Sequence, residues 1–399
     1  MTAGVDAHIV LILTVGLTFA SFLGYLAFKY KFSPILGYLL AGYMIGPFSP
    51  GFVADIKIAE QLAEIGVILM MFGVGLHFRI EDLAQVKKLA VPGGVGQVIV
   101  ATISGCILLL SLGFGLEAGL VYGLAISVAS TVVIVRVLSD NKLLNTPLGH
   151  IAVGWTIVED IITIFILLLL PTLANFAQNG TLSIFALGES ILISTLKFIL
   201  FGILMFTLGR YFISKALGKI VDTRYPELFT LTVLALTFLI ATGSAYLFGT
   251  SIALGAFISG MVMGETTMAK RVSNNAMPLK DAFVVMFFIS VGMLFNPVVI
   301  WENFSLFLGS VFIIMVLKPL AAIVICRILQ TPITKSIMIG VALAQIGEFS
   351  FILVEEALKF GIFPDDIYDI VVASSLVSIA LNPILFRFFK DKPLIEEKV

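Results

Sequence analysis

The sequence predicts an all-α polytopic membrane protein with thirteen transmembrane helices. Composition is the first observation behind this prediction, because 59% of the 399 residues are hydrophobic and only 12% are charged, whereas an ordinary soluble domain has roughly 25% charged residues. The second observation is a series of apolar runs of membrane-spanning length, and the third is an internal repeat of glycine-rich stretches. A soluble globular protein is therefore excluded.

Apolar runs between polar, glycine or proline breaks define the thirteen spans, because a helix needs about 20 mostly apolar residues to cross a bilayer. The second, ninth and tenth runs are short. In chain order the runs lie at about 6–28, 33–48, 57–77, 88–113, 116–139, 148–176, 182–217, 225–248, 250–265, 279–296, 301–329, 332–358 and 366–391.

The basic residues predict the orientation of these spans. When the spans are followed alternately across the membrane, most of the 24 lysine and arginine residues fall on one side, and cytoplasmic loops carry such an excess. We therefore expect a multi-pass protein of the cell (inner or plasma) membrane, with its N-terminus outside and its C-terminus in the cytoplasm. Because no lysine or arginine precedes the first run, we expect an uncleaved span there, not a signal peptide.

Glycine-rich stretches recur between the two halves of the chain. LGYLLAGYMIG at 36–46 returns as LGAFISGMVMG at 254–264, displaced by 218 residues, and FGVGLHF at 72–78 returns as ISVGMLF at 289–295, displaced by 217. This displacement corresponds to seven spans. Because seven is odd, the two repeats are predicted to be inverted relative to one another.

The repeat predicts one transmembrane unit over 1–399 with three parts. Repeat one covers about 33–176, linking helices cover about 182–248, and repeat two covers about 250–391. Inverted five-helix repeats are typical of secondary transporters, whose substrate site lies near the midplane where interrupted helices of the two halves meet. Similar small residues in all tightly packed membrane helices are the plainer explanation of the match.

Glu159 and Asp160 lie about halfway along the sixth run. An ionisable side chain in the hydrocarbon layer costs at least about 2.5 kcal/mol, so it is a functional candidate by default. Adjacent helical residues project about 100° apart, so one carboxylate can face a cavity while the other meets a neighbouring helix. Two close carboxylates repel when both are ionised, which makes proton release exchangeable with cation capture. The alternative is a pair that only bonds to neighbouring helices.

Lys318 lies midway along the eleventh run, before Pro319. This position is too deep for its side chain to reach either surface easily. The ammonium therefore needs an anion, and Glu159 or Asp160 is the expected partner. A purely structural salt bridge is the alternative, and it is compatible with transport.

Small and polar residues mark the fifth and twelfth runs. Glu348, in ALAQIGEFSF, is the repeat mate of Thr131, in SVASTVV. Both stretches favour local unwinding, which frees backbone groups and half-helix ends for ion binding. Ser130 and Thr131 are candidate oxygen ligands, and Gln345 and Glu348 are candidate charge-balancing groups. Simple hydrogen bonding within or between helices is the alternative for Ser130, Thr131 and Gln345.

Several classes of protein lack support in the sequence. The net charge of −1, without a basic run, gives no indication of a nucleic-acid partner. Cys106 and Cys326 lie singly in apolar runs, and neither a phosphate-binding loop nor an H-E-x-x-H zinc motif occurs. We expect no enzymatic activity and no cofactor. This sequence is expected to contain no cytosolic nucleotide-binding domain, so such regulation would need a separate subunit or a longer native chain of which this sequence is a part.

Seven stretches, in order across nearly the whole chain, resemble the monovalent cation:proton antiporter superfamily, in particular the branch with the glutathione-gated potassium efflux systems. They are ILGYLLAGYMIGP at 35–47, LAEIGVILMMFGVGL at 62–76, ASTVVIVRVL at 129–138, GHIAVGWTIVEDI at 149–161, LGAFISGMVMGE at 254–265, FFISVGM at 287–293 and ALAQIGEFSFIL at 342–353.

This resemblance implies a homodimer with a dimerisation domain and a moving core domain, in which the discontinuous fifth and twelfth helices cross. It also implies an elevator-like motion of the ion site. Asp160 matches the family's ion-carrying aspartate, and Glu159 matches the preceding position, which varies among branches. Lys318 matches the core lysine that pairs with that preceding position in electrogenic members.

The resulting hypothesis is a secondary active antiporter that exchanges Na+ or K+ for H+ across a lipid bilayer. Asp160 binds the cation and the proton alternately in this hypothesis, Glu159 and Lys318 tune it, and Ser130 and Thr131 add oxygen ligands. One alternative is a channel-like potassium efflux pore on the same scaffold. Another is an organic-anion:Na+ symporter, which a lone lysine beside two carboxylates disfavours.

Overall fold

The computed structural model describes residues 8–30, 32–49, 56–77, 80–144, 146–179, 184–223, 225–248, 250–362 and 364–390. Most of these residues are helical, and no strand occurs among them. The helices are α1 His8–Lys29, α2 Pro34–Ile45, α3 Ile56–His77, α4 Ile80–Ser111, α5 Leu116–Ser127, α6 Thr131–Asp140, α7 Pro147–Asn179, α8 Ile184–Leu204, α9 Arg210–Asp222, α10 Pro226–Phe248, α11 Ile252–Gly264, α12 Ala269–Leu294, α13 Val298–Glu302, α14 Phe304–Phe312, α15 Lys318–Ile328, α16 Ile333–Ala342, α17 Glu348–Lys359 and α18 Asp365–Lys390.

Two short π-helical segments interrupt longer helices. Met205–Gly209 joins α8 to α9, and Ile313–Leu317 joins α14 to α15. A π turn inside an α-helix is rare and is frequently found at functional sites. The second of these segments ends directly before Lys318, the first residue of α15.

Ten helical stretches of the described chain are long and apolar enough to cross a membrane. Three shorter apolar helices accompany them, namely α2, α11 and α16. Many of the large apolar side chains on these helices are exposed, for example Ile203 of α8 at 58%. Because lipid tails are as apolar as these side chains, such a surface suits a bilayer. The prediction of a multi-pass helical membrane protein is therefore confirmed.

The chain divides into two compact units, each built from separate parts of the sequence. The first takes in the described residues of Met1–Thr18, Phe52–Arg79 and Ile166–Ser290. Within it, α11 packs along α3 and against α10. Gly260 of α11 lies directly against the backbone of α3, where a larger residue would separate the two helices.

The second unit takes in the described residues of Phe19–Gly51, Ile80–Phe165 and Val291–Val399. Within it, α4 packs against both α5 and α15, α17 packs against α5, and α18 packs against α16 and α17. Every acidic, basic or amide side chain discussed below belongs to this unit.

Two predicted runs are broken helices in the second unit. The fifth run divides into α5 and α6, with Val128, Ala129 and Ser130 outside both helices. The twelfth divides into α16 and α17, with residues 343–347 between them. Each break contains a residue that favours a helix end, Ser130 in the first and Gly347 in the second, because serine bonds backbone groups outside the helix and glycine loses the most backbone entropy within one.

The predicted start of the tenth run is wrong. That run was expected to be short and to begin at residue 279, but α12 begins at Ala269 and has 26 residues. Its first turns are AKRVSNNAMP, and Pro278 lies inside the helix. Hydropathy detects only the apolar part of such a helix, whereas backbone hydrogen bonds continue through polar residues. The eleventh run, at 301–329, corresponds to the continuous stretch Phe304–Ile328, which the short helix α13 precedes.

Candidate ion-binding site

The two broken helices meet at their breaks. The Gly347 N–H donates to the Val128 carbonyl over 3.1 Å. The side-chain amide of Gln345 forms two hydrogen bonds with the backbone of Ser130, each over 3.1 Å. Its oxygen accepts from the Ser130 N–H, and its nitrogen donates to the Ser130 carbonyl. Because buried peptide groups need partners, these bonds replace the helical bonds that each break removes.

Glycine at position 347 permits this close approach. A Cβ atom at Gly347 would lie 2.6 Å from the Cα of Ser130 and 2.8 Å from its backbone nitrogen. No side chain fits at such distances, so the crossing depends on glycine at this point.

Glu159 is fully buried on α7 and faces the first break. One carboxylate oxygen accepts from the Ala129 N–H over 2.8 Å. The other accepts from the side-chain amide of Gln97 on α4. The carboxylate is therefore held by two donors from different parts of the second unit.

Lys318 is also fully buried, and its ammonium donates to the carbonyl of Gln345 over 2.8 Å. Glu159 and Lys318 attract one another electrostatically. Sequence reasoning named a carboxylate as the lysine's partner. The structure adds a backbone carbonyl of the second break as its hydrogen-bond acceptor.

The two charges match the ends of the broken helices. A helix N-terminus carries a partial positive charge and a C-terminus a partial negative charge. Glu159 accepts from Ala129, directly before the N-cap of α6, and Lys318 donates to Gln345, just beyond the C-terminus of α16. The acidic and basic groups therefore compensate opposite dipole ends at the crossing.

Asp160 points to a different partner from Glu159. Its carboxylate accepts from the hydroxyl of Thr131, the first residue of α6, over 3.2 Å. Asp160 is 9% exposed and Thr131 is half-buried. The hydroxyl of Ser130 caps α6 by accepting from the Val133 N–H over 3.2 Å. Carboxylate and hydroxyl oxygens are the ligand types that hard cations prefer.

The structure brings six of the seven residues predicted from sequence to this crossing. They are Ser130, Thr131, Glu159, Asp160, Lys318 and Gln345. The seventh, Glu348, is the first residue of α17, directly after the second break. Its side chain lies outside the described part of the structure.

Sequence reasoning missed two buried amides at the crossing. Gln97 donates to Glu159. Asn382 of α18 donates to the carbonyl of Val341 over 2.7 Å, which satisfies one of the last carbonyls of α16. Neither residue is ionisable, so the search for buried charges passed over both. Burying an amide in an apolar span without a partner costs free energy. An amide residue within an apolar run is therefore a feature by which the sequence could have indicated both residues.

These features define a class of protein. A polytopic helical protein with an acidic pair and a lysine buried at two broken helices has the architecture of a secondary ion transporter. Among the described residues, no group of three or more His, Cys, Asp or Glu side chains is placed to hold a resident metal ion.

Comparison with known proteins identifies the family. A family model described as "Sodium/hydrogen exchanger, transmembrane" matches residues 14–390, so the chain belongs to this family of cation/proton antiporters. The resemblance seen in the sequence is thereby confirmed.

Curated relatives and solved structures agree with this assignment. The chain is 44% identical to the putative cation/proton antiporter YbaL of Escherichia coli, over 94% of this chain and 67% of that protein. It is 29% identical to K(+) efflux antiporter 5 of Arabidopsis thaliana, over 96% of this chain and 67% of that protein. The fold matches that of the sodium proton antiporter MjNhaP1 from Methanocaldococcus jannaschii with a TM-score of 0.63 and 16% identity, covering 96% of this chain and 98% of that one. These relatives are named as transporters, not as enzymes.

Proposed function

We propose that the protein is a secondary active antiporter that exchanges Na+ or K+ for H+ by alternating access, with Asp160 as the group that carries the cation and the proton in turn. The observation that carries this proposal is the position of Asp160 against Thr131, at the start of a half-helix and beside a charge-compensated crossing. Relatives are named for potassium efflux and for sodium–proton exchange, so the proposal covers both cations.

The exchange follows from the chemistry of one carboxylate. Ionised Asp160 binds a cation with help from the Thr131 hydroxyl, which turns a lone pair toward the ion when it no longer donates to the carboxylate. Protonated Asp160 has no charge to hold the cation, so proton and cation compete for the same oxygens. Glu159 and Lys318 keep opposite charges beside this site, and Ser130 adds a second hydroxyl near it.

The wider architecture is part of the same proposal. It comprises thirteen spans in two inverted five-helix repeats, an outside N-terminus and cytoplasmic C-terminus in the plasma membrane, and a homodimer whose core domain moves the ion like an elevator. Two short helices at a displacement of 218 residues support the repeat, since α2 and α11 both begin after a serine N-cap, Ser33 and Ser251.

Asp160→Asn tests the central claim. Purified protein is reconstituted into proteoliposomes that enclose a pH-sensitive dye under an imposed pH gradient, and Na+, K+ or Li+ is added outside. We expect a cation-specific change of lumenal pH with the wild type and none with Asp160→Asn, because an amide cannot release a proton or balance a cation.

Asp140→Asn is the matched control. Asp140 is an exposed carboxylate of the same unit that forms an ion pair with Arg136 on the surface of α6, so its loss should leave exchange unchanged. Exchange that persists in Asp160→Asn would overturn the assignment of Asp160. Cation flux without coupled proton movement would instead support a channel, and uptake of an organic anion driven by Na+ would support a symporter.

A further inference from the structure

The helix that continues from α8 into α9 is longer than the hydrocarbon core of a bilayer is thick. Its backbone stays helical from 184 to 222, through the π segment Met205–Gly209, which at 1.5 Å per residue gives a length of about 58 Å. The hydrocarbon core is about 30 Å thick. Because charged side chains are costly inside that core, the part that leaves it includes the end of α9, with Lys215, Lys219 and Asp222.

Exposed side chains follow one face of this helix in an apolar, aromatic and then basic order. Leu208 comes first, Tyr211 and Phe212 follow, and Lys215 and Lys219 come last, all of them exposed. Residues three or four apart lie on the same face of a helix, and the opposite face of α9 packs against α10 and α11. Tyrosine is enriched where a membrane meets water. The two lysines therefore lie at the level of the lipid headgroups or just beyond it.

The ammonium of Lys215 is turned back toward the bilayer. Its Nζ lies 5.6 Å from the centroid of the Tyr211 ring, and Tyr211 is one turn nearer to the hydrocarbon core. A lysine beside a membrane usually extends toward water. A cation over an aromatic ring is attracted to it electrostatically, so this contact holds the positive charge of Lys215 at the level of the headgroups.

The positive charge of this face is not cancelled by neighbouring side chains. In the part of the chain that the structure describes, neither Lys215 nor Lys219 forms an ion pair. Arg210, at the start of α9, donates to the carbonyl of Glu265 over 3.1 Å and lies 3.9 Å from its carboxylate. Asp222 lies one turn beyond Lys219, away from the bilayer. Two lysines one turn apart are therefore available to an external anion.

We propose that the face of α9 formed by Tyr211, Phe212, Lys215 and Lys219 binds the headgroup of an anionic phospholipid. The two ammonium groups bind the phosphodiester, and the two rings pack against the adjoining glycerol and the upper acyl chains. Basic residues next to a membrane are attracted to anionic lipids, whereas the amine of a zwitterionic headgroup cancels the charge of its phosphate. This inference concerns lipid binding and does not depend on the proposed exchange.

Lys215→Gln/Lys219→Gln tests the role of the two charges. Purified protein in a neutral detergent is titrated with phosphatidylglycerol or with phosphatidylcholine of the same acyl chains, and native mass spectrometry measures the bound lipid. We expect the wild type to prefer phosphatidylglycerol. In the double variant the Kd for that lipid should rise about thirtyfold, a factor of about five for each lysine, because a basic residue near anionic lipid contributes roughly 1 kcal/mol.

Lys29→Gln/Lys335→Gln is the control with the same change of net charge. Both lysines are exposed and lie on other helices, α1 and α16. This variant should keep the wild-type preference for phosphatidylglycerol, because the face of α9 is unchanged. A similar loss of binding in both double variants would show that only net charge matters and would overturn the assignment to α9.

Tyr211→Leu tests the contact that places Lys215, without any change of charge. A cation–π contact at an exposed site contributes about 0.5–1 kcal/mol, so the Kd for phosphatidylglycerol should rise about two- to fivefold. Phe212→Leu is the matched variant, since it keeps the ring beneath Lys215, and its effect should be smaller. An equal effect of the two variants would contradict the placing of Lys215 by Tyr211.

Three results would overturn the proposal as a whole. The first is a wild type that binds phosphatidylglycerol and phosphatidylcholine equally well. The second is glycerol 3-phosphate that binds as tightly as the lipid, which would make this a site for a soluble phosphate. The third is a lower oligomeric state of the lysine double variant, which would assign the face to a second copy of the chain. None of these results bears on the proposed exchange.

Discussion

Lys318 shows how a single buried charge depends on its surroundings. Its ammonium donates to the carbonyl of Gln345 and attracts Glu159, and all three residues are fully buried. Removing one member of a buried charged pair typically costs about 3–5 kcal/mol, because the remaining charge stays in a medium of low polarity.

Lys318→Met is therefore expected to lower the thermal stability of the detergent-solubilised protein strongly. The double variant Lys318→Met/Glu159→Gln should recover much of this loss, since it leaves no isolated charge. Recovery should be incomplete, because the carbonyl of Gln345 still lacks its donor. Thermal unfolding followed by intrinsic fluorescence measures this. A double variant as unstable as the single one would contradict the electrostatic explanation.

The charged residues of the site were predictable from sequence, and their partners were less so. Glu159, Asp160 and Lys318 stand out because ionisable groups in apolar spans are rare. The acceptor of Lys318 is a backbone carbonyl freed by a helix break, and no side chain marks such a group. Gln97 and Asn382 lay outside a search restricted to ionisable and repeat-matched residues, although buried amides also require partners.

At the scale of the secondary-structure element, the broken helices α5–α6 and α16–α17 are joined by hydrogen bonds where they cross. The Gln345 side chain and the backbone of Gly347 join them. Because the Cα of Ser130 lies so close to Gly347, even one added methyl group forces the two breaks apart.

Gly347→Ala should reduce both stability and exchange. Overpacking of this kind typically costs about 1–3 kcal/mol, and separation of the breaks also moves Thr131 relative to Asp160. Gly243→Ala on α10 is the matched control, since a Cβ atom there meets nothing within 4 Å and alanine favours the helix. Proteoliposome exchange and thermal unfolding compare the two variants. Equal behaviour of both would show that the crossing tolerates expansion.

The ends of helices were predictable where the sequence changes abruptly from apolar to polar residues, and they were less predictable elsewhere. The runs at 33–48 and 250–265 correspond to the short helices α2 and α11. The start of α12 was misplaced because its first turns are polar. The π segment at Ile313–Leu317 was not predicted, since five apolar residues look the same in an α turn and in a π turn.

At the scale of the whole molecule, the distribution of basic residues predicts which loops lie on which side of the membrane. Labelling of an introduced cysteine can test this prediction, because the two native cysteines, Cys106 and Cys326, are both buried. A single cysteine placed at an exposed loop position therefore reports the side on which that loop lies. Thr223, which follows α9, is expected in the cytoplasm, and Asp366, at the start of α18, is expected outside.

Thr223→Cys and Asp366→Cys test the proposed orientation. In intact cells, a membrane-impermeant thiol reagent should label Asp366→Cys and leave Thr223→Cys unlabelled. After the membrane is opened, both should react. The wild type serves as the background control, because its two cysteines are buried. Labelling of Thr223→Cys in intact cells would reverse the proposed topology.

The π segment before Lys318 has a consequence for sequence alignment. A π turn contains one more residue than an α turn, so every residue after it is rotated by about 100° relative to an uninterrupted helix. A relative whose helix is straight must lack one residue here if its lysine is to point in the same direction. A correct alignment with such a relative therefore opens a one-residue gap within Ile313–Leu317. If the gap is omitted or placed after Lys318, the alignment assigns Lys318 to the wrong column.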